Sequence, residues 1–571
     1  MIEKLTAIDR LSRLTSKLLW GVSLTLGIIA VDPQVTSAAE RLRFNYSILS
    51  FSLSVDALEL YAEEGKINEE LSFYTNLLDE RTVKQLRRIL RRRININPIL
   101  LYRLSRSPIG IEIIKSLGEV ATTHPGYNGF YPLRSSITNA ALENRDRGVT
   151  LIDVLREFPR EDILIDTAKL LELRNELTTL VEYREAIRDL VAQQAWEEAG
   201  SSNSFLPYQD LRKSGGIAFT QQVLVIDSRM ADLSSGIRSR EPFRVKLYLP
   251  QGLANPAPVV VLSHGFGSEP KSFDYLGEHL ASYGIAAVSV EHIGSDSDYE
   301  LEILSGAQKR TIAPAEFIER PLDIHYVLDE LERLNQTDPT IEGTLDLDRV
   351  GAIGHSLGGY TTLALAGAEI NANRLRQQCP NKKINLNISL LLQCRAQKLV
   401  SQQQLADSRI KAAIAISPIA SGILGKESLT NIDIPTAIIS GSEDIIAPVV
   451  QEQVYPFTWL SAKDKYLAMM IPGDHFSSSN LPREKPTDPT IIEEFIGKRL
   501  VNGQSYIKAF AVAFVKAHVE RDTTYLPYLS ATYAREISDP EIDFNIIRSL
   551  DITSLEKEFN EVLPVILPTL K

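Results

Sequence analysis

The stretch Arg349–Ile370, "RVGAIGHSLGGYTTLALAGAEI", decides the fold. A short apolar run leads into Gly354-His355-Ser356-Leu357-Gly358, and a helix-like run follows at once. A bare Gly-x-Ser-x-Gly carries little weight, since average Gly and Ser usage near 7% would give about 0.2 chance matches in a chain this long. The strand-turn-helix setting supplies the meaning. A turn that sharp strains the dihedrals of Ser356, while Gly354 and Gly358 leave room for neighbouring backbone and Gly359 permits close helix packing.

Outward from this turn, apolar runs alternate with helix-like segments: "QQVLVID", "FRVKLYLP", "PVVVLSH", "IAAVSVE", "KAAIAISP", "PTAIISG" and "YLAMMIPG". Several runs are apolar throughout, which predicts an α/β domain over 217–530 with a doubly wound, mostly parallel sheet covered on both faces. The interval at about 370–409 is longer than the 2–6 residues usual between helix and strand. It is read as a cap insertion over the site. Cys379 and Cys394 lie within it, and in an exported protein they could close a disulfide. Residues 531–571 are read as a C-terminal helical extension.

Catalytic candidates sit at strand ends, where open parallel sheets present their working groups. "VVVLSHGFGSEP" ends in His264-Gly265-Phe266-Gly267, which would set the backbone N–H of Phe266 beside that of Leu357 as an oxyanion hole. Downstream come Ser442-Glu443-Asp444 and then Asp474-His475. The chain order Ser356, Asp444, His475 suits a nucleophile, its orienting acid and its general base. Glu443 and Asp474 are rival acids. His518 is a rival base that lies in an apolar helix, and His264, His279, His292, His325 and His355 are read as structural.

Before this domain, residues 40–200 carry helical periodicity after one strand-like stretch, "RLRFNYSILSFSLSV", and predict a mainly helical domain. The polar stretch 201–216 is read as a linker. At the start, Lys4, Arg10, Arg13 and Lys17 precede the apolar run Leu18–Val31, with Ser37 and Ala39 beyond it. That layout predicts a signal peptide over 1–39; left uncleaved, it would be an N-terminal anchor.

The chain of 571 residues is 44% apolar and 23% charged, as a globular protein is, and has a net charge of −12. That charge argues against a nucleic-acid partner. "RRILRRR" (Arg87–Arg93) stands against the trend, either as a solvated helix face or as a patch for peripheral membrane contact. Two cysteines cannot build a cysteine-based metal site, no His-Glu-x-x-His or phosphate-cradling loop occurs, and neither metal nor cofactor is expected.

"LSHGFGS" (262–268), "AAVSVEHIGSD" (286–296), "ERPLDIHYVLDEL" (319–331) and "GHSLGG" (354–359) together resemble the α/β-hydrolase superfamily. More narrowly they resemble the platelet-activating-factor acetylhydrolase group of esterases, over roughly residues 216 to 520. In that group Glu291-His292 is usually followed by a more basic and polar run than Ile293-Gly294. The helical region resembles a domain of unknown function found before α/β-hydrolase domains in cyanobacteria. The resemblance implies an exported serine hydrolase acting on a small-molecule or lipid ester. A lipase or polyester-type hydrolase and a non-catalytic binding protein on the same fold are the alternatives; the oligomeric state is not read.

Overall fold

The computed structural model describes residues 39–559 apart from 47–48, 77, 95–97, 107, 201–208, 228–240, 306, 309–311, 380–386, 400–403 and 479–498. The signal-peptide expectation falls almost wholly on residues outside this set. Among the described residues no helix is long and apolar enough to cross a membrane. Two compact units emerge, one from 39–94 with 117–167 and the other from 95–116 with 168–559.

The first unit contains a four-stranded sheet as well as helices. Its strands are β1 (Arg41–Tyr46), β2 (Leu49–Ser54), β3 (Ala121–Thr122) and β4 (Asp162–Asp166), in the order β2-β1-β4-β3. "RLRFNYSILSFSLSV" is therefore two antiparallel strands rather than one, with Tyr46 paired to Leu49. Period-two alternation reads the same on either side of a reversal, so the pattern could not reveal the turn. Ser54 caps the helix Val55–Glu64 by accepting from the Ala57 amide, and Gly65 closes it at φ 75°. Asp79 caps the helix Glu80–Arg91 in the same way. Leu58, Tyr61, Leu90 and Ile163 close the core of this unit.

The expected boundary at 200 moves to residue 167. The helix Thr167–Ala199 buries Tyr183, Ile187, Val191, Ala195 and Ala199 in the core of the second unit. Its four-residue stripe shows that something covers it, and the covering core belongs to the later unit. The described end of the expected linker, 209–216, is also packed. Leu211 is fully buried, its N–H donates to the Tyr533 hydroxyl at 3.1 Å, and its carbonyl pairs with His279 Nε2 at 2.9 Å.

The second unit is built on nine strands: β5 (Phe219–Ile226), β6 (Phe243–Pro250), β7 (Ala257–Ser263), β8 (Ala286–Val290), β9 (Leu345–His355), β10 (Ile410–Ile416), β11 (Thr436–Gly441), β12 (Lys465–Ile471) and β13 (Asp543–Ile547). Their order is β13-β12-β11-β10-β9-β7-β8-β6-β5. The six strands from β8 to β12 across the middle are parallel; β6 and β13 pair antiparallel with the two sides of that block, and β5 pairs antiparallel with β6. The C-terminal region thus adds a strand to the sheet as well as helices, which corrects the purely helical expectation. "DFNII" is a short, isolated run whose pairing with β12 only the fold reveals. From β7 the chain passes to β8 on one side and then to β9 on the other, so the direction of winding switches between β7 and β9. Ligands of open α/β sheets bind at that switch, beyond the carboxyl ends of the strands.

The insertion at 370–409 carries the helices Ala372–Gln378 and Ile388–Gln393, with Cys379 and Cys394 bridged. It is keyed to the segment after β10. Gln393 Oε1 accepts from the amides of Gly422 and Ile423, while the buried Glu452 carboxylate takes Asn387, Gln393, Ala420 and Ser421. Among the described residues, none of its hydrogen bonds runs to Ser356, Asp444 or His475.

Candidate active site

Ser356 lies between the end of β9 and the helix Leu357–Leu365, with φ 56° and ψ −114°. A non-glycine residue there is strained by about 1–3 kcal/mol. Its neighbours hold it in place: the Ser356 amide donates to the Ile416 carbonyl at 2.8 Å, and the Tyr360 amide donates to the Ser356 carbonyl at 3.1 Å. The hydroxyl does not cap the helix it precedes. The flanking glycines are sterically required, since a Cβ on Gly354 would stand 2.1 Å from the Gly358 carbonyl oxygen and one on Gly358 would stand 1.9 Å from that of Ser263.

The loop after β7 lies against this turn. A Cβ built on Gly265 would be 3.4 Å from the Cβ of Ser356. The Phe266 and Leu357 amides have no acceptor among the described residues. The Gly267 amide is committed elsewhere, donating to the Ser295 carbonyl at 2.9 Å. Gly267 itself has φ 71°, a conformation that glycine adopts without strain.

Asp444 and His475 follow β11 and β12, and these two loops interlock: the Glu443 amide donates to the Gly473 carbonyl at 2.7 Å. The buried Asp444 carboxylate meets His475 Nδ1 at 2.8 Å. Its other contacts come from the Ile446 and Ala447 amides at 3.0 and 2.9 Å and from Gln453 Nε2 at 2.8 Å. The rivals are placed differently. Asp474 accepts from the Phe476 amide and the Ser477 hydroxyl, stapling its own turn, and Glu443 is exposed. His518 pairs with the Tyr466 hydroxyl at 3.0 Å. His475 reaches the Ser356 turn through His355, whose Nε2 donates to the His475 carbonyl at 2.8 Å. Between the Ser356 hydroxyl and the His475 ring there is no direct hydrogen bond, a contact that often tightens only in the substrate complex. Burial, with the neighbouring His475, pushes His355 down to about 3, so it stays neutral and acts as a strut.

Beneath the loop after β7 lies a polar network that the sequence reading did not assign. Arg320, fully buried on the helix Glu316–Thr337, donates to the His264 carbonyl, to Ser263 Oγ at 3.3 Å and to Ser295 Oγ at 2.9 Å. His264 Nδ1 faces the Gly265 carbonyl at 2.7 Å, and its Nε2 accepts from the His292 amide at 3.2 Å. Burial and the Arg320 guanidinium hold His264 well below the usual imidazole range. Pro321 on the same helix has no N–H to give the Phe317 carbonyl, and the Tyr360 hydroxyl fills that role at 2.6 Å, tying this helix to the one after Ser356. The motif "ERPLDIHYVLDEL" flagged this helix, yet only the fold shows its Arg reaching the loop. Among the described residues no group of three or more His, Cys, Asp or Glu is arranged to hold a metal ion.

Comparison with known proteins agrees with this architecture. Residues 38–166 match a family described as "Alpha/beta hydrolase of unknown function (DUF1400)". Cutinase 1 of Thermobifida cellulosilytica is 23% identical over 273 residues, 47% of this chain and 71% of that enzyme. The cutinase of Thermobifida fusca (strain YX) is 23% identical over 273 residues, with 47% of this chain and 62% of the relative covered. Cutinase est1 of Thermobifida alba is 22% identical over 271 residues, with 47% and 63% covered. The alignments thus span about two thirds of these relatives. The chain has the α/β-hydrolase fold, and its likenesses are to an α/β-hydrolase family of unknown function and to cutinases.

Proposed function

We propose that this protein is an exported serine ester hydrolase that works through an acyl-enzyme. Ser356 attacks the ester carbonyl, and His475 takes the hydroxyl proton and returns it to the departing alcohol. Asp444 keeps the imidazole in the tautomer with Nδ1–H and offsets its charge once protonated. The carbonyl oxygen, becoming an oxyanion, is met by the amides of Phe266 and Leu357, each such donor contributing about 2.7–4 kcal/mol to the transition state. Water then enters by the same route and frees the acid. The observation that carries this reading is the strained backbone of Ser356, beside two amides without acceptors and within reach of the His475 loop.

Two substrate classes compete. The resemblance of its motifs to platelet-activating-factor acetylhydrolase-type esterases favours short-acyl lipid esters, whereas the likeness to proteins named cutinases favours the polyester-type reading. Hydrolysis of p-nitrophenyl esters from acetyl to palmitoyl, together with release of monomers from a polycaprolactone film, separates them, with Ser356→Ala as control. A short-chain optimum with an intact film supports the first class, and film erosion supports the second. No turnover above the control on any substrate would sink the hydrolase reading and leave a binding protein on this fold.

A further inference from the structure

The first unit holds a recess of about 640 Å³ lined by Tyr61, Lys84, Arg87, Arg88, Arg91 and Arg92. On the helix Glu80–Arg91, positions 84, 87, 88 and 91 recur at three- and four-residue steps and so share one face. Val83, Leu86 and Leu90 turn to the other side and pack with the core. The cations therefore stand together in a concave surface of a chain whose net charge is −12.

Structural roles account for only part of this cluster. Arg87 closes the end of the helix Val55–Glu64, donating to the carbonyls of Tyr61, Ala62 and Glu63. Lys84 pairs with Glu80 at 2.6 Å. A helix C-terminus favours cations in its last turn, which holds Arg88 and Arg91, but it gives their guanidinium donors no anion to bond. For Arg88 and Arg91 no carboxylate partner exists among the described residues, and both are exposed. Like charges spaced three and four residues apart work against a helix. An anion that accepts from several guanidinium groups at once would relieve that repulsion and satisfy their donors together.

We propose that this recess is a binding site for a phosphate group, carried either by the head of an anionic lipid or by a free phosphate compound. Arg88 and Arg91 supply the principal donors, and Lys84 and Arg92 supply flanking charge. The test uses the full chain and the double variant Arg88→Glu/Arg91→Glu, whose substitutions are exposed and lie outside the proposed catalytic groups. Co-sedimentation is measured with vesicles of phosphatidylglycerol and phosphatidylcholine against phosphatidylcholine alone. Thermal melting is followed in parallel with inorganic phosphate and pyrophosphate.

Wild-type binding to the anionic vesicles that falls at least tenfold in the variant, and falls with added salt, supports the site with a lipid source. A melting shift with phosphate or pyrophosphate that the variant loses, without vesicle binding, supports a free-phosphate source. Absence of both in the wild type, or equal responses in wild type and variant, overturns the proposal. Hydrolysis of a soluble p-nitrophenyl ester should be the same in both proteins, so failure here and failure of the hydrolase reading are separable.

Discussion

The Asp444 carboxylate meets His475 Nδ1 at 2.8 Å while its other oxygen is fixed by the Ile446 and Ala447 amides. This asymmetry predicts the behaviour of Asp444→Asn. The two backbone N–H groups are fixed, so the amide oxygen takes their side and the NH2 takes the side shared by Gln453 Nε2 and the imidazole, forcing the imidazole proton to Nε2. A base protonated at Nε2 cannot accept from Ser356. The expected loss is about 10⁴ in kcat, with KM changed little. Steady-state kinetics on a p-nitrophenyl ester checks it, and a loss under tenfold, or an equal loss in Glu443→Gln, would show that Asp444 is not the acid.

Ser356 allows activity and stability to be separated. Its hydroxyl does not cap the following helix, so Ser356→Ala should abolish turnover while leaving stability within about 0.5 kcal/mol. Ser356→Gly should abolish turnover too, but glycine accepts φ 56° freely. Relief of about 1–3 kcal/mol of strain, less about 1 kcal/mol for the added freedom of the unfolded chain, leaves the glycine variant more stable than the alanine one by up to about 2 kcal/mol. Urea unfolding of the two variants measures the difference. A glycine variant less stable than the alanine one would mean that the turn stores no strain.

Residues whose role is local were the legible ones. Gly354, Ser356 and Gly358 could be read because a strand, a turn and a helix are adjacent in sequence, and the parallel sheet because several of its strands are apolar throughout. What stayed hidden depends on partners distant along the chain. The helix Thr167–Ala199 showed its stripe but not the later core that covers it, and β13 showed too little pattern to announce its pairing with β12. Arg320 stood in a quoted motif, yet its acceptors at residues 263, 264 and 295 come from two other segments.

Arg320 is expected to act as a positioning residue. Its planar fork holds the His264 carbonyl and two hydroxyls at once, and so sets the peptide that leads into Gly265 and Phe266. Lysine offers a single point charge and cannot span the three acceptors. Arg320→Lys should lower kcat about 10–100-fold, less than the 10²–10³ lost with a whole oxyanion donor, and leave KM within about threefold. Melting is recorded alongside, because the site is buried. A variant folded at the assay temperature with unchanged kcat would reduce Arg320 to a purely structural role.

Glu300 should make stability depend on pH. Its carboxylate packs against the loop after β7, where a Cβ on Gly267 would stand 2.8 Å from Oε2, and burial pushes it up from 4.5 to about 7. A carboxyl with a raised pKa in the folded state binds its proton more tightly there than in the unfolded chain. Its contribution is therefore full below about pH 4.5 and is lost as pH climbs to about 7, amounting to about 3 kcal/mol over that interval. Glu300→Gln carries no titrating proton, so its stability should fall less than that of the wild type from pH 4.5 to 7. The two proteins should differ most above pH 7, where the wild type must keep a charge that is largely withdrawn from water. Urea unfolding across this range gives both curves. Parallel curves would mean that Glu300 ionises as freely in the folded protein as in the unfolded chain, and that the loop beside it is open to water.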